Sequence, residues 1–211
     1  MSKQTFFTFD QKNNLDLNSF FVNSTNNDAY KMINNINQNL NIFLIGPNKS
    51  GKSHLANIWK KNNNALIYND NFEEIISKKQ NVIIENIFNN FNEETIFHII
   101  NHCFSYKLNI LITSEKHIND FNFTLLDLVS RIKMFNFVQI NNPDDEILVN
   151  VITKLLVEKQ FIIKNKDIFE FLIKRVNRTY EEVFNLVNKM DELSLEKKRQ
   201  LTIPSIKKLL Y

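Results

Sequence analysis

The 211-residue sequence predicts an α/β fold, a five-stranded parallel sheet flanked by helices, followed by a small all-helical C-terminal domain. Two observations predict it. Short apolar runs alternate with helical periods as far as about residue 140, and strands that read as continuous apolar runs belong to a parallel sheet covered on both faces. Beyond Asn142-Pro143 no strand pattern recurs. The expected domains are a loose tail over residues 1–20, an α/β domain over 21–142 and a helical domain over 143–211.

The elements follow in order. Residues 1–20 are polar with phenylalanines interspersed. Asn26 to Ile33 reads as a short helix with an Asn or Asp cap. Asn41 to Ile45 is the first strand, and His54 to Trp59 reads as the start of the helix that follows. Ala65 to Tyr68 suits a second strand and Phe72 to Ser77 a helix. Asn81 to Glu85 is a third, β-branched run ending in a carboxylate. Glu93 to Phe104 carries Ile96, Ile99, Ile100 and Cys103 at a helical period. Leu108 to Ile112 is a fourth strand, ending at Thr113-Ser114. Leu125 to Lys133 is a short helix and Phe137 to Ile140 a fifth strand. Helices are then expected at Asp144 to Gln160, Asp167 to Asn177, Tyr180 to Leu195 and Pro204 to Leu210.

The chain holds 2 glycines, and both lie between the first strand and its helix, at Gly46 and Gly51. Gly46-Pro47-Asn48-Lys49-Ser50-Gly51-Lys52-Ser53 is the G-x-x-x-x-G-K-S pattern of a P-loop (Walker A). Glycine permits positive φ and close approach of a ligand to the backbone. The loop amides and the helix N-terminus then present partial positive charge to phosphate oxygens. Lys52 would reach the β- and γ-phosphates of a nucleotide, and the Ser53 hydroxyl would ligate Mg²⁺. A chance match in a loop is the bland reading. The strand before and the helix after argue against it.

A second carboxylate is needed at the end of a neighbouring strand to hold the Mg²⁺ hydration shell. Glu85, after Ile83-Ile84, is the candidate; capping the strand is the alternative. The next residue is Asn86, where many such ATPases carry the acid that activates water. An amide cannot accept that proton, so unaided hydrolysis is expected to be slow or absent. Whether another acid such as Glu93 replaces it stays open. Thr113 and Ser114 end the fourth strand, where a hydroxyl either senses the γ-phosphate or caps the strand. Arg131 is either a solvated arginine or one given in trans to another protein's nucleotide, where it would stabilise transition-state charge.

Composition sets limits. With 43% hydrophobic residues the chain can bury a core, to which the 19 phenylalanines are expected to contribute much. A net charge of +3 falls short of the clustered basic footprint of a dedicated DNA binder. The single Cys103 excludes an intramolecular disulfide and reads as a buried small hydrophobe in a reducing compartment. No stretch approaches the roughly 18 apolar residues of a membrane span, so a cytoplasmic protein is expected.

The motifs together resemble the AAA+ proteins of the DnaA/Hda type, most closely the alphaproteobacterial Hda homologues. The resemblance rests on Asp16 to Val22, Gly46 to Ala56, Asp127 to Arg131, Asn142 to Asp145, Phe171 to Arg178, Met190-Asp191 and Leu201 to Pro204. It implies ADP or ATP with Mg²⁺, held between the sheet domain and a helical lid. The cradle would then take in Phe21, Val22, the loop from Gly46 to Ser53, His54 and Arg178. It also implies docking on the replicase sliding clamp through an N-terminal motif, for which Gln4 to Phe9 lies in place but lacks the usual leucine. Arg131 matches the family's arginine finger, given in trans to DnaA so that ATP hydrolysis there stops re-initiation. The lid arginine of the family aligns with Glu181, and Arg178 or Arg175 would have to substitute for it.

DnaA continues past the lid into a helix-turn-helix domain, and this sequence ends at Tyr211, so no sequence-specific DNA binding is expected. A homodimer is possible, and which nucleotide resides is open. The competing reading is a helicase-loader-like or DnaA-like ATPase on single-stranded DNA. Asn86 and the lack of a basic, aromatic-rich segment argue against it.

Overall fold

The computed structural model describes residues 20–35, 40–88, 92–161, 167–194 and 206. The expected clamp motif at Gln4 to Phe9 and nearly all of the expected helix from Pro204 to Leu210 lie outside them. Within them the order is α1 (Asn27–Asn34), β1 (Ile42–Ile45), α2 (Lys52–Asn63), β2 (Leu66–Ile67), α3 (Phe72–Lys78), β3 (Val82–Ile84) and α4 (Glu93–Tyr106). Then come β4 (Ile110–Ser114), a 3-10 turn (Ile118–Asp120), α5 (Leu126–Ile132), β5 (Asn136–Gln139), α6 (Asp145–Glu158), α7 (Asp167–Ile173) and α8 (Tyr180–Ser194).

The five strands form one parallel sheet in the order β2-β3-β4-β1-β5. The three inner strands are buried at every residue, as their unbroken apolar runs require, whereas β5 at the edge buries only Val138 and exposes Asn136 and Gln139 at its two ends. The two-residue period of a strand divides each inner strand between two cores. Phe43, Ile45, Ile84 and Ile112 face α3, α4 and α5, where they meet Ile75, Ile96, Ile100, Leu128 and Ile132. Ile42, Leu44, Ile83 and Leu111 face α1 and α2, against Ile33, Leu55, Ile58 and Trp59.

Several expectations need correction. Among the described phenylalanines only Phe43, Phe135 and Phe161 are buried; isoleucine and leucine fill the cores, and most other phenylalanines pack along their margins. The inner strands are built mostly from isoleucine, valine and leucine, so branched aliphatic chains hold the central positions and most rings are left to the rims. Strand β4 begins at Ile110, not Leu108. The Leu108 amide closes α4 on the Cys103 carbonyl, and the Asn109 amide donates to the Asn81 side chain. Asn26 stands at the start of α1 but does not cap it. Its amide group instead accepts from the Asn23 N–H at 3.0 Å and donates to the Phe21 carbonyl at 2.9 Å, pinning the entry segment. Phe20 is no part of a loose tail: its ring stacks on Tyr30 with centroids 5.9 Å apart.

With glycine confined to one loop, other residues occupy left-handed backbone. Asn64, Lys79 and Lys107 end α2, α3 and α4 in that conformation, and Asp70, Asn86 and Gln160 adopt it in turns. Such positions usually take glycine; a side chain there costs about 1 kcal/mol.

The chain divides after Asn142, and a second compact unit takes in Pro143 onward. Its core is formed by Leu148, Ile152 and Leu156 of α6, Leu172 of α7 and Val183, Val187 and Met190 of α8, with Ile206 also buried in it. Asp144 caps α6 by accepting from the Ile147 amide at 2.9 Å, and Lys159 pairs with Asp191 of α8 at 2.8 Å. Helix α7 stops at Ile173, short of the expected Asn177, where the Arg175 and Val176 amides both turn back to the Leu172 carbonyl. Among the described residues no helix is long and apolar enough to cross a membrane.

Candidate functional site

The loop between β1 and α2 leaves the carboxyl end of a central strand, where ligands of open α/β sheets bind. The Gly46 N–H donates to the Ser114 carbonyl at 3.1 Å, tying the start of the loop to the end of β4. Its two glycines serve different ends. A Cβ on Gly46 would lie 2.8 Å from Ser50 Oγ and 3.0 Å from Ile140 Cβ, so the need there is space. Gly51 has φ +94°, and a Cβ would also meet the Phe20 ring at 2.9 Å. Lys49, at φ 61°, takes left-handed backbone without being glycine.

Lys52 opens α2 and is buried. Its ammonium donates to the carbonyls of Gly46 at 2.8 Å and Pro47 at 2.9 Å, so the loop curls around the charge. Burial pulls this lysine below its ordinary pKa, against the opposing fields of Glu115 and Glu85. Ser53 follows, exposed, and its hydroxyl donates to the Glu85 carboxylate at 2.7 Å. Two oxygens that the sequence assigns to one metal ion therefore meet across 32 positions. No group of three or more His, Cys, Asp or Glu side chains capable of holding a metal exists among the described residues. The donor set nonetheless fits Mg²⁺ beside phosphates, which uses one or two protein oxygens and otherwise phosphate and water. Ser50 Oγ is buried with no hydrogen-bond partner, a polar atom in the loop left unsatisfied by the protein.

Three further residues shape the site. The Thr113 hydroxyl accepts from the Asn86 N–H at 2.9 Å, and the Thr113 carbonyl accepts from Ile87 at 3.1 Å. Thr113 thus holds the turn that follows β3 and keeps Glu85 beside Ser53; it is almost wholly buried. Asn86 has φ 48°, a backbone region that asparagine tolerates best after glycine, so its identity has a conformational reason as well. His54 is buried with its ring edge against Phe20, centroids 5.5 Å apart. Phe21 is 40% exposed and Val22 half-buried beside it. The role of Phe20, in contact with both Gly51 and His54, is absent from the sequence reading; only its place in an aromatic run hinted at it.

The structure does not bring Arg131 to this loop. It lies on α5, on the sheet face opposite α2, shortly before Asn136, which pairs with the first residue of β1. Its guanidinium sits over the Phe104 ring, 5.6 Å from the centroid. It lines a cleft of about 360 Å³ with Phe97, Asp127, Ser130 and Met134. Glu93 is committed elsewhere: its carboxylate accepts from the Thr124 and Leu125 amides and the Thr124 hydroxyl. The open alternative that it serves as the missing base loses its support. In the helical unit Arg178 is held by Asp145 through Nε at 2.8 Å and Nη2 at 3.1 Å, while Arg175 lies over the Phe171 ring. Glu181 is exposed in the first turn of α8.

Comparison with known proteins places the architecture. The chain resembles domain III of the replication initiation protein DnaA from Thermotoga maritima with a TM-score of 0.75 at 17% identity, covering 94% of this chain and 96% of that one. It resembles the AMPPCP-bound DnaA of Aquifex aeolicus with a TM-score of 0.68 at 19% identity, covering 89% and 69%. The fold is therefore that of the AAA+ domain. Residues 157–210 match the family model described as "Hda, lid domain". Over residues 157–210, therefore, the chain carries an Hda-type lid domain, and its fold is that of the DnaA structures it resembles. An uncharacterized protein of Haemophilus influenzae is 31% identical over 106 residues, 50% of this chain and 46% of that relative, so the match spans less than half of the relative's length.

Proposed function

We propose that this chain is an adenine-nucleotide-binding regulator of replication initiation that acts on DnaA in the manner of Hda. In this reading the loop from Gly46 to Ser53 holds ADP or ATP. Lys52 turns from its loop carbonyls to the phosphates, and Ser53 and Glu85 hold Mg²⁺, which neutralises phosphate charge. Phe21, Val22 and His54 border the nucleotide, and Arg178 contributes once it leaves Asp145. The nucleotide serves as a structural switch more than as fuel, because Asn86 cannot take a proton from water and Glu93 is occupied. Unaided turnover of several ATP per minute would overturn that part. The family branch closest to the chain, on this view, is the alphaproteobacterial one, and the setting is cytoplasmic.

The observation that carries the reading is the position of Arg131. An arginine on the sheet face away from α2 cannot serve the chain's own phosphate loop, yet it lines a cleft with Met134, an apolar side chain left 66% exposed. That combination suits an arginine given in trans to the nucleotide of DnaA, where such a residue contributes ~10³-fold or more to hydrolysis. The sliding clamp, engaged through Gln4 to Phe9, would bring the two proteins together, and a homodimer of this chain is a further association in this reading.

The test is single-turnover hydrolysis by DnaA preloaded with labelled ATP, with clamp-loaded DNA and this protein in ADP. The parent should accelerate hydrolysis and Arg131→Ala should not. A parent without effect sinks the reading. One solved relative is DnaA bound to AMPPCP and single-stranded DNA, so a salt-sensitive shift of labelled single-stranded DNA by this chain would favour the loader-like alternative instead.

A further inference from the structure

We infer that Glu93 is a positioning residue for Arg131, setting the direction of the short helix that carries it. This rests on the reading of Arg131 as an arginine given in trans.

Helix α5 spans only Leu126–Ile132, about two turns, too short to hold a helical conformation unaided. The residue at its N-cap is Leu125, whose side chain makes no capping hydrogen bond. The job passes to a carboxylate from another helix. Glu93 Oε2 accepts from the Leu125 N–H at 2.7 Å, from the Thr124 N–H at 3.1 Å and from Thr124 Oγ1 at 3.0 Å, while Oε1 lies 3.2 Å from the Thr124 N–H. In a capping box a glutamate in the helix itself reaches back to the N-cap amide. Here the glutamate comes from 32 residues earlier.

Glu93 is itself fixed. It is the first residue of α4, and the preceding Asn92 caps that helix by accepting from the Glu94 and Thr95 amides at 2.8 and 3.3 Å. At the other end of α5 the Arg131 guanidinium rests over Phe104, also on α4. Between these points Leu128 and Ile132 are wholly buried against the same core as Ile96 and Ile100. One helix therefore grips the arginine-bearing helix at its start and supports the arginine at its end. Burial of the Glu93 carboxyl works to raise its pKa, but the hydrogen bonds from Leu125 and Thr124 outweigh it and hold the group ionised below the usual range. A charged acceptor of three donors is a stiff anchor.

If Glu93 directs Arg131, removing it should lower the rate of the stimulated reaction without weakening the encounter. The experiment measures DnaA hydrolysis on clamp-loaded DNA as a function of this protein's concentration, with Glu93→Ala, Glu93→Gln, Arg131→Ala and the double variant Glu93→Ala/Arg131→Ala. Glu93→Ala is expected to reduce the maximal rate roughly 10- to 100-fold, the cost of misplacing a transition-state group by about 1 Å. Its half-saturating concentration should stay within about twofold, and amide exchange in α5 should quicken. Glu93→Gln, which keeps one acceptor oxygen for the Leu125 amide, should recover part of the rate. In the Arg131→Ala background the substitution should cost nothing further. A Glu93→Ala variant with full maximal rate beside an inactive Arg131→Ala overturns the inference and leaves the arginine reading intact. Loss that persists in the Arg131→Ala background overturns it too. An Arg131→Ala variant as active as the parent overturns the arginine reading, and this inference with it.

Discussion

The Ser53 hydroxyl donates a 2.7 Å hydrogen bond to the Glu85 carboxylate, joining the first turn of α2 to the exit of β3. The pair brings a neutral oxygen ligand and a charged one to the same point beside the Lys52 ammonium. If they share a Mg²⁺ ion, Ser53→Ala and Glu85→Gln should each weaken Mg²⁺-dependent nucleotide binding by about 10- to 100-fold. Binding in excess chelator should barely change. Titration of a fluorescent ADP analogue with and without Mg²⁺ reads both. A purely structural hydrogen bond would shift the melting temperature and leave the Mg²⁺ dependence as it was.

The two loop glycines separate by the reason each is needed. Gly51→Ala meets backbone strain at φ +94° as well as the Phe20 ring, and should lose about 1–2 kcal/mol of stability. Combining it with Phe20→Ala removes the ring but not the strain. The double variant should therefore remain less stable than Phe20→Ala alone in urea denaturation. Equal stability of the two would show that the ring was the whole constraint.

Lysine is a poor residue with which to end a helix in left-handed backbone. Lys107 does so at φ 55°, its N–H donating to the Cys103 and Phe104 carbonyls. Lys107→Gly should relieve the strain and, after the added freedom of the unfolded chain is counted, stabilise the protein by about 0.5–1 kcal/mol. A rise in melting midpoint of about 2 °C is the expected reading. A fall would mean that the flexibility of glycine outweighs the strain.

Burial pushes the Cys103 thiol up to about 12, from an ordinary value of 9.0. The folded pKa is raised, so its contribution to stability is fully present below about pH 9 and is lost as pH climbs toward 12. In that window the unfolded chain has released a proton that the folded one keeps, and stability should fall by about 1.4 kcal/mol per pH unit on this account. Cys103→Ala should remove that share of the alkaline slope. The thiol should also resist iodoacetamide at pH 8 until the chain unfolds. Rapid alkylation of the native protein would contradict the burial.

Much of the fold was legible because its signals are local. Five apolar runs, the helical period of Glu93 to Phe104 and the break at Pro143 need only neighbours in sequence to be read. The Gly46 to Ser53 loop was legible for the same reason, its residues falling within eight consecutive positions. Arg131 was open between two readings in the sequence, and only the family resemblance favoured the one in trans, since an arginine on a short helix has no local signature. The roles of Thr113, Glu93 and Arg178 were not legible, because their partners Asn86, Leu125 and Asp145 lie 27, 32 and 33 positions away. Nor could the sequence show that phenylalanine would sit at the margins of the cores, since hydrophobicity alone does not distinguish a ring at the rim from a methyl group between strands.

By itself, then, the sequence determined the sheet, its helices and a loop with the residues to hold phosphate, because periodicity and the placing of its two glycines are written along the chain. Tertiary structure decided between the alternatives left for Glu85 and alone gave Glu93 its place. Glu85 comes to the Ser53 hydroxyl and Glu93 to the start of α5 because the crossovers of a parallel sheet bring distant strand ends and helix ends together. At the length of a side chain, the outcome of that packing has no counterpart in sequence spacing.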